Sequence, residues 1–245
     1  MKNPIRPGQK QAQKSKDASQ LPVSSEKDVR AFLTKVAAMP KSSGEARLIF
    51  SLDATASRQA TWDAASQLQT EMFFSTQTLS RLNVQLCYFR GFGEFFSSNW
   101  QSDAEDIVRI MSGIHCEAGI TQLERLLRHA IKENDRQKIK GVVYIGDAME
   151  ENIDVLAQLA GQLGLFNVPL FMFQERGDPV ARQAFMDMSR LSGGAYSQFD
   201  SASAEQLKDL LKAVAIYAAG GLKALENFSK NSHKNVKLLE QQLKG

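Results

Sequence analysis

Three oxygen-bearing side chains stand at alternate positions in Asp53-Ala54-Thr55-Ala56-Ser57. One is a carboxylate and two are hydroxyls, and a turn can aim such a set at one spot. Hard oxygen donors without nitrogen or sulfur suit Mg²⁺, Mn²⁺ or Ca²⁺ rather than zinc. Two more oxygen donors follow: Thr121 in Gly119-Ile120-Thr121, and Asp147 after Ile145-Gly146. Glu117, Glu150 and Glu151 would add negative potential at the rim. A plainer reading stands beside this one. Ser57 can cap a following helix, and Glu150 and Glu151 can complement a helix amino terminus.

These residues need elements to position them. Arg47-Leu48-Ile49-Phe50-Ser51-Leu52 is a short apolar run that reads as a buried strand, and the segment from 58 to about 79 reads as helix, with Trp62, Ala65, Leu68, Met72 and Phe73 at helical spacing. The first motif thus lies at the carboxyl end of a strand, where open α/β sheets bind ligands. Further strands are expected at 83–89, 94–100, 141–147, 169–173 and 195–199, and helices at 103–111, 121–134, 153–163, 179–191 and 205–219. Gly91-Phe92-Gly93 reads as a hairpin turn rather than a dinucleotide loop, because no third glycine follows and no helix opens there. Ser203 with Gln206 resembles a capping box. Strand and helix alternate, with one hairpin. That order predicts an α/β fold, a doubly wound, mostly parallel six-stranded sheet with one antiparallel edge strand and helices on both faces.

Composition narrows the function. The chain has 245 residues, 43% of them hydrophobic, enough for one sizeable core. Its formal charge of +3 is unevenly placed: Lys2, Arg6, Lys10, Lys14 and Lys16 precede the first acid, and without them 25 basic residues face 27 acidic ones. No basic stripe of the kind nucleic acid requires is evident. No apolar run has the length of a membrane span, no apolar region follows the basic start, and two cysteines make no disulfide framework, so a cytoplasmic setting is expected. Residues 1–24 read as a disordered basic tail, 25–44 as a helix and linker, 45–219 as the folded domain, and 220–245 as a helical extension beyond Gly220-Gly221.

On Asp53, Thr55, Ser57, Thr121 and Asp147, together with the strand–helix order from 46 to 215, the chain resembles the von Willebrand factor type A (VWA) domain. That Rossmann-like family carries a metal-ion-dependent adhesion site (MIDAS) built from Asp-x-Ser-x-Ser, a distant Thr and a distant Asp. Thr55 stands where serine is commoner and offers the same oxygen. The resemblance implies that Thr55, Ser57 and Thr121 bind a divalent cation, Mg²⁺ or else Mn²⁺ or Ca²⁺, directly. Asp53 and Asp147 would act directly or through water. It further implies a protein partner presenting Asp or Glu to the metal, with this chain as subunit or adaptor of an intracellular complex, including one that contains an ATPase. Resemblance to switching members also suggests that Gly220-Gly221 lets the last helix shift.

Two other functional classes compete. A haloacid-dehalogenase-type phosphohydrolase also begins with an aspartate at a strand end and uses Mg²⁺, but it needs a second aspartate two residues on, where this chain has Thr55. A metal-free scaffold with the same fold is the other. His115-Cys116-Glu117 matches the His-x-Glu of zinc deaminases, yet no Pro-Cys-x-x-Cys follows. The expected function is a binding module, not an enzyme.

Overall fold

The computed structural model describes residues 27–28, 30–31, 46–59, 82–200, 207–216, 218–219 and 224. The expected amino-terminal tail, most of the helix before Pro40, the helix after Ser57, the Ser203–Gln206 capping box and nearly all of the extension with its glycine pair lie outside the described residues.

Six strands form one sheet: β1 (Ala46–Asp53), β2 (Leu82–Arg90), β3 (Glu94–Ser97), β4 (Gly141–Gly146), β5 (Leu170–Glu175) and β6 (Ala195–Phe199). Their order is β3-β2-β1-β4-β5-β6. All neighbours are parallel except β2 and β3, which pair antiparallel across the Gly91-Phe92-Gly93 turn. The doubly wound sheet is therefore as the alternation predicts. β1 lies between β2 and β4, and the chain order reverses at β1. The Asp-x-Thr-x-Ser turn thus sits at the topological switch point, where the strand ends leave a crevice.

Strand side chains alternate between faces, and the sheet accordingly splits the core in two. Leu48, Phe50 and Leu52 of β1 join Val143, Ile145, Phe171 and Phe173 on one face, under α1 (Ala104–Ser112) and a helix over 207–216, α5. Ile49, Val142, Tyr144, Leu170 and Met172 face the other way. There they are covered by α2 (Leu123–Arg136), α3 (Ile153–Leu165) and α4 (Pro179–Ser192). Local chemistry sets most helix starts. Asp103, Asn152 and Asp178 each accept a hydrogen bond from a first-turn N–H of α1, α3 and α4, and Pro179 opens α4.

The edge strand departs from expectation. β3 ends at Ser97 rather than running to Trp100. Ser98 N–H still donates to the Leu86 carbonyl at 2.9 Å, but the Ser98 hydroxyl takes the Leu86 N–H at 3.0 Å, and the next backbone pair is Gln101 with Val84. Among the described residues, Asn99 and Trp100 lie between these pairs without ladder bonds of their own, and Trp100 donates to the Glu133 carboxylate at 3.0 Å.

The loop that carries Thr121 is held against the β2–β3 hairpin. Ile120 N–H donates to the Gly91 carbonyl at 3.2 Å. A Cβ on Gly119 would lie 2.0 Å from that same oxygen, so only glycine permits the approach. Gly119→Val is expected to force the two backbones apart and cost about 1–3 kcal/mol, as overpacking does, read as a lower urea midpoint at unchanged slope.

Candidate functional site

Asp53 is the last residue of β1 and is fully buried. Its Oδ1 accepts the Thr55 N–H at 2.8 Å, which bends the chain into a single 3-10 turn over Ala56–Arg58. That turn brings the Thr55 and Ser57 hydroxyls within 3.1 Å of each other, and Ser57 donates to Asp147 Oδ1 at 3.0 Å. Ser57 is thus drawn toward a residue 90 positions away, an engagement the simple capping role does not include. Four of the five expected residues form one connected group across the carboxyl ends of β1 and β4.

Thr121 is held differently. Its N–H and hydroxyl both donate to Glu150 Oε2, at 3.0 and 2.9 Å, and its oxygen accepts the Glu150 N–H at 3.2 Å. Among the described residues no hydrogen bond joins it to the other four. One hydroxyl lone pair stays uncommitted. Glu151 accepts the N–H groups of Leu123 and Glu124 at 2.6 and 2.8 Å, so it caps α2, whose own N-cap Gln122 makes no side-chain cap. Both glutamates therefore serve the start of the helix that precedes them in sequence, rather than that of α3, which follows them. Glu117 lies 3.6 Å from Arg90 and is mostly exposed at the rim.

Two arginines with no counterpart in the sequence reading shape the group. Arg58 is fully buried; Nη1 donates to the Asp53 carbonyl at 2.8 Å and to the Ile145 carbonyl at 3.4 Å, while Nε pairs with Glu175 at 2.9 Å. It ties the ends of β1, β4 and β5 together. Arg176 directly follows β5, lies 3.5 Å from Asp147 Oδ2 and is about half exposed. Its backbone is left-handed, with φ of 62°, a conformation that costs a non-glycine residue on the order of 1 kcal/mol. An isolated arginine at a strand end gives no sequence signal for such a placement.

The electrostatics follow from burial. Desolvation pushes the Asp53 carboxyl up to about 6. Hydrogen bonding from Thr55 and the charge of Arg58 oppose the rise, and the nearby charge of Asp147 adds to it. Asp53 Oδ2 is buried without a hydrogen-bond partner, as are the Ser51 hydroxyl and the Tyr144 hydroxyl on the same face of the sheet. Ser51 and Tyr144 are neighbours across β1 and β4. The Tyr144 ring end occupies the space where a Cβ on Gly146 would sit, 2.1 Å from the hydroxyl oxygen. Cys116 adjoins the site; burial raises its thiol to about 11, so it stays protonated and is a poor soft ligand. Elsewhere, His129 shares a 2.8 Å hydrogen bond with Gln85, and burial lowers its pKa; its role is structural.

The donor set fits a small divalent cation. The oxygens of Thr55, Ser57 and Asp147 are spaced at 3.0–3.1 Å. Adjacent ligands of an octahedral Mg²⁺ at 2.0–2.1 Å lie about 2.9 Å apart. The unpartnered, buried Asp53 oxygen is a group that a cation or its water would satisfy. Among the described residues no group of three or more His, Cys, Asp or Glu could hold a metal ion, so an ion here would rest largely on the hydroxyls.

Two outcomes follow. The native protein holds the Asp53 proton more tightly than the unfolded chain does. Stability of the metal-free protein should therefore fall as pH rises from about 4 to about 6 and then level off. Asp53→Asn should remove that dependence, read in urea denaturation across the same pH range with chelator present. Arg58→Met strands Glu175 in the interior and should cost about 3–5 kcal/mol; adding Glu175→Gln should recover part of that loss, read by the same denaturation in a double-mutant cycle.

No protein-family model matches the sequence, and no curated protein matches it. Solved structures do. The VWA domain of SpRpn10 is 14% identical, with a TM-score of 0.54 over 68% of this chain and 93% of that one. An aerotolerance-related membrane protein from Bacteroides fragilis is 13% identical, with a TM-score of 0.53 over 66% of this chain and 95% of that one. The PilB minor pilin from Streptococcus sanguinis gives 10% and 0.55, over 72% of this chain and 62% of the pilin. At such identities the likeness concerns the fold: the chain has a VWA-like α/β fold, with Asp53, Thr55, Ser57 and Asp147 gathered at its switch point.

Proposed function

We propose that the chain is a divalent-metal-dependent protein-binding module rather than an enzyme. Asp53, Thr55, Ser57, Thr121 and Asp147 would hold the metal, Mg²⁺ or a similar hard ion, which would take an Asp or Glu side chain from a protein partner. The observation that carries this reading is the connected Thr55–Ser57–Asp147 group beside the unpartnered carboxylate oxygen of Asp53. Three neutral hydroxyls among the donors would leave the ion electrophilic, able to accept one more anionic ligand. Desolvated charge pairing of that kind contributes strongly to binding and is sensitive to single substitutions.

The described part contains no helix long and apolar enough to cross a membrane. An intracellular complex as the setting, with an ATPase among its members, belongs to the same proposal.

The Arg176–Asp147 contact favours a second reading. An internal cation beside one of the two carboxylates is what a metal-free scaffold would use to balance its charge. Isothermal titration of Mg²⁺ and Mn²⁺ into chelator-stripped protein separates the two. Saturable binding at one site, lost in Asp53→Ala and Thr121→Ala proteins that keep their circular dichroism, is the expected result. No saturable heat up to millimolar ion would favour the scaffold.

A further inference from the structure

Two arginines attend the group at the strand ends, and they are held in opposite ways. Arg58 is fixed by its side chain: Nε lies 2.9 Å from Glu175, and Nη1 donates to the Asp53 and Ile145 carbonyls. Arg176 is fixed by its backbone. Its N–H donates to the Phe199 carbonyl at 3.2 Å. Two residues on, the Asp178 carbonyl accepts from Gln174 at 2.8 Å, and the Asp178 side chain caps α4. The left-handed φ of 62° is thus imposed from both sides. The side chain is much less constrained. It is 47% exposed, and its Nη1 stands 3.5 Å from Asp147 Oδ2. A strong charge-assisted hydrogen bond would be about 2.7–2.9 Å. The guanidinium can therefore leave Asp147 for solvent without any movement of the main chain.

Asp147 needs such a neighbour. It is 5% exposed, and its Oδ1 already takes the Ser57 hydroxyl. A carboxylate this far out of water is costly unless a cation or donors meet both oxygens. We propose that Arg176 stands in for the cation of the site. Its guanidinium neutralises Asp147 Oδ2 in chelator-stripped protein and gives way when a divalent ion binds, so Arg176 sets the ion concentration at which the site fills. This rests on the metal-dependent reading above and adds to it the residue that tunes occupancy.

The size of the effect follows from populations. When only a fraction of molecules is competent to bind, the apparent affinity is reduced by that fraction. With Arg176 on Asp147 in roughly nine molecules of ten, Mg²⁺ would bind about tenfold more weakly than to the open site. The loose geometry suits that role. A pair as tight and buried as Arg58–Glu175 would exclude the ion, whereas a pair fully in solvent would not compete with it.

The test pairs isothermal titration of Mg²⁺ into the chelator-stripped full chain with urea denaturation in chelator. Arg176→Gln removes the charge. Arg176→Asn is a second neutral variant, because asparagine tolerates the left-handed backbone. Arg176→Lys keeps the charge. Arg190→Gln removes one exposed positive charge from the last turn of α4 and controls for net charge. Both neutral variants should bind Mg²⁺ about tenfold more tightly than the wild type, equivalent to about 1.4 kcal/mol, and unfold at lower urea in chelator. Arg176→Lys and Arg190→Gln should keep the wild-type affinity. In saturating Mg²⁺ the neutral variants and the wild type should unfold together, because the loaded protein does not use the contact. A merely structural arginine would instead lower affinity and stability alike. Unchanged or weaker Mg²⁺ binding in the neutral variants, or tighter binding with no loss of stability in chelator, would overturn the inference and leave the metal-dependent reading standing. No saturable binding in any of the proteins would remove both.

Discussion

The buried ion pair between Arg58 and Glu175 is the constraint on which the site depends. Both side chains are almost wholly out of water, at 2.9 Å. Removing two charges from solvent is costly, and their attraction offsets that cost only when the remaining donors are also satisfied. Arg58 meets much of that condition by donating to the Asp53 and Ile145 carbonyls, the last of β1 and the last but one of β4. The pair therefore does more than bridge β1 to β5. It fixes where two strand ends stop relative to each other, and Asp53 and Asp147 emerge from those ends. A hydrophobic pair of similar volume could fill the space, but it could not hold the carbonyls.

Above that clamp, charge is balanced unevenly between the two carboxylates. Asp53 has desolvation against it and one oxygen without a partner. Asp147 has a hydroxyl on one oxygen and Arg176 on the other. The group is stable enough to be built, yet it holds one strongly dissatisfied acceptor at its centre. Sites that recruit an ion or a ligand commonly store such imbalance rather than relieve it internally.

Local patterns made the fold legible. Apolar runs and Gly-x-Gly at the hairpin are read within a few positions of where they act, and the six strands appear in the expected order. Asp53, Thr55 and Ser57 were legible for the same reason, since five residues contain their spacing. What sequence did not reveal lies far apart in the chain. Glu175 meets Arg58 across 117 positions, and Glu150 meets Thr121 across 29. Nothing in the local composition of 147–151 says that its two glutamates serve the helix before them. Likewise, the early end of β3 depends on one serine hydroxyl replacing a backbone acceptor, which alternation of residue types does not encode.

The contact between Gly91 and Gly119 has a mechanical side. Side-chain contacts give under load, because rotamers shift and contacts slide. Here two backbones touch with no side chain between them, pinned by a hydrogen bond next to the contact. The hairpin and the threonine loop are in effect one lever without a compliant joint. A displacement of the hairpin at Gly91 therefore meets the Thr121 loop backbone directly, at Gly119, rather than through side chains that can yield.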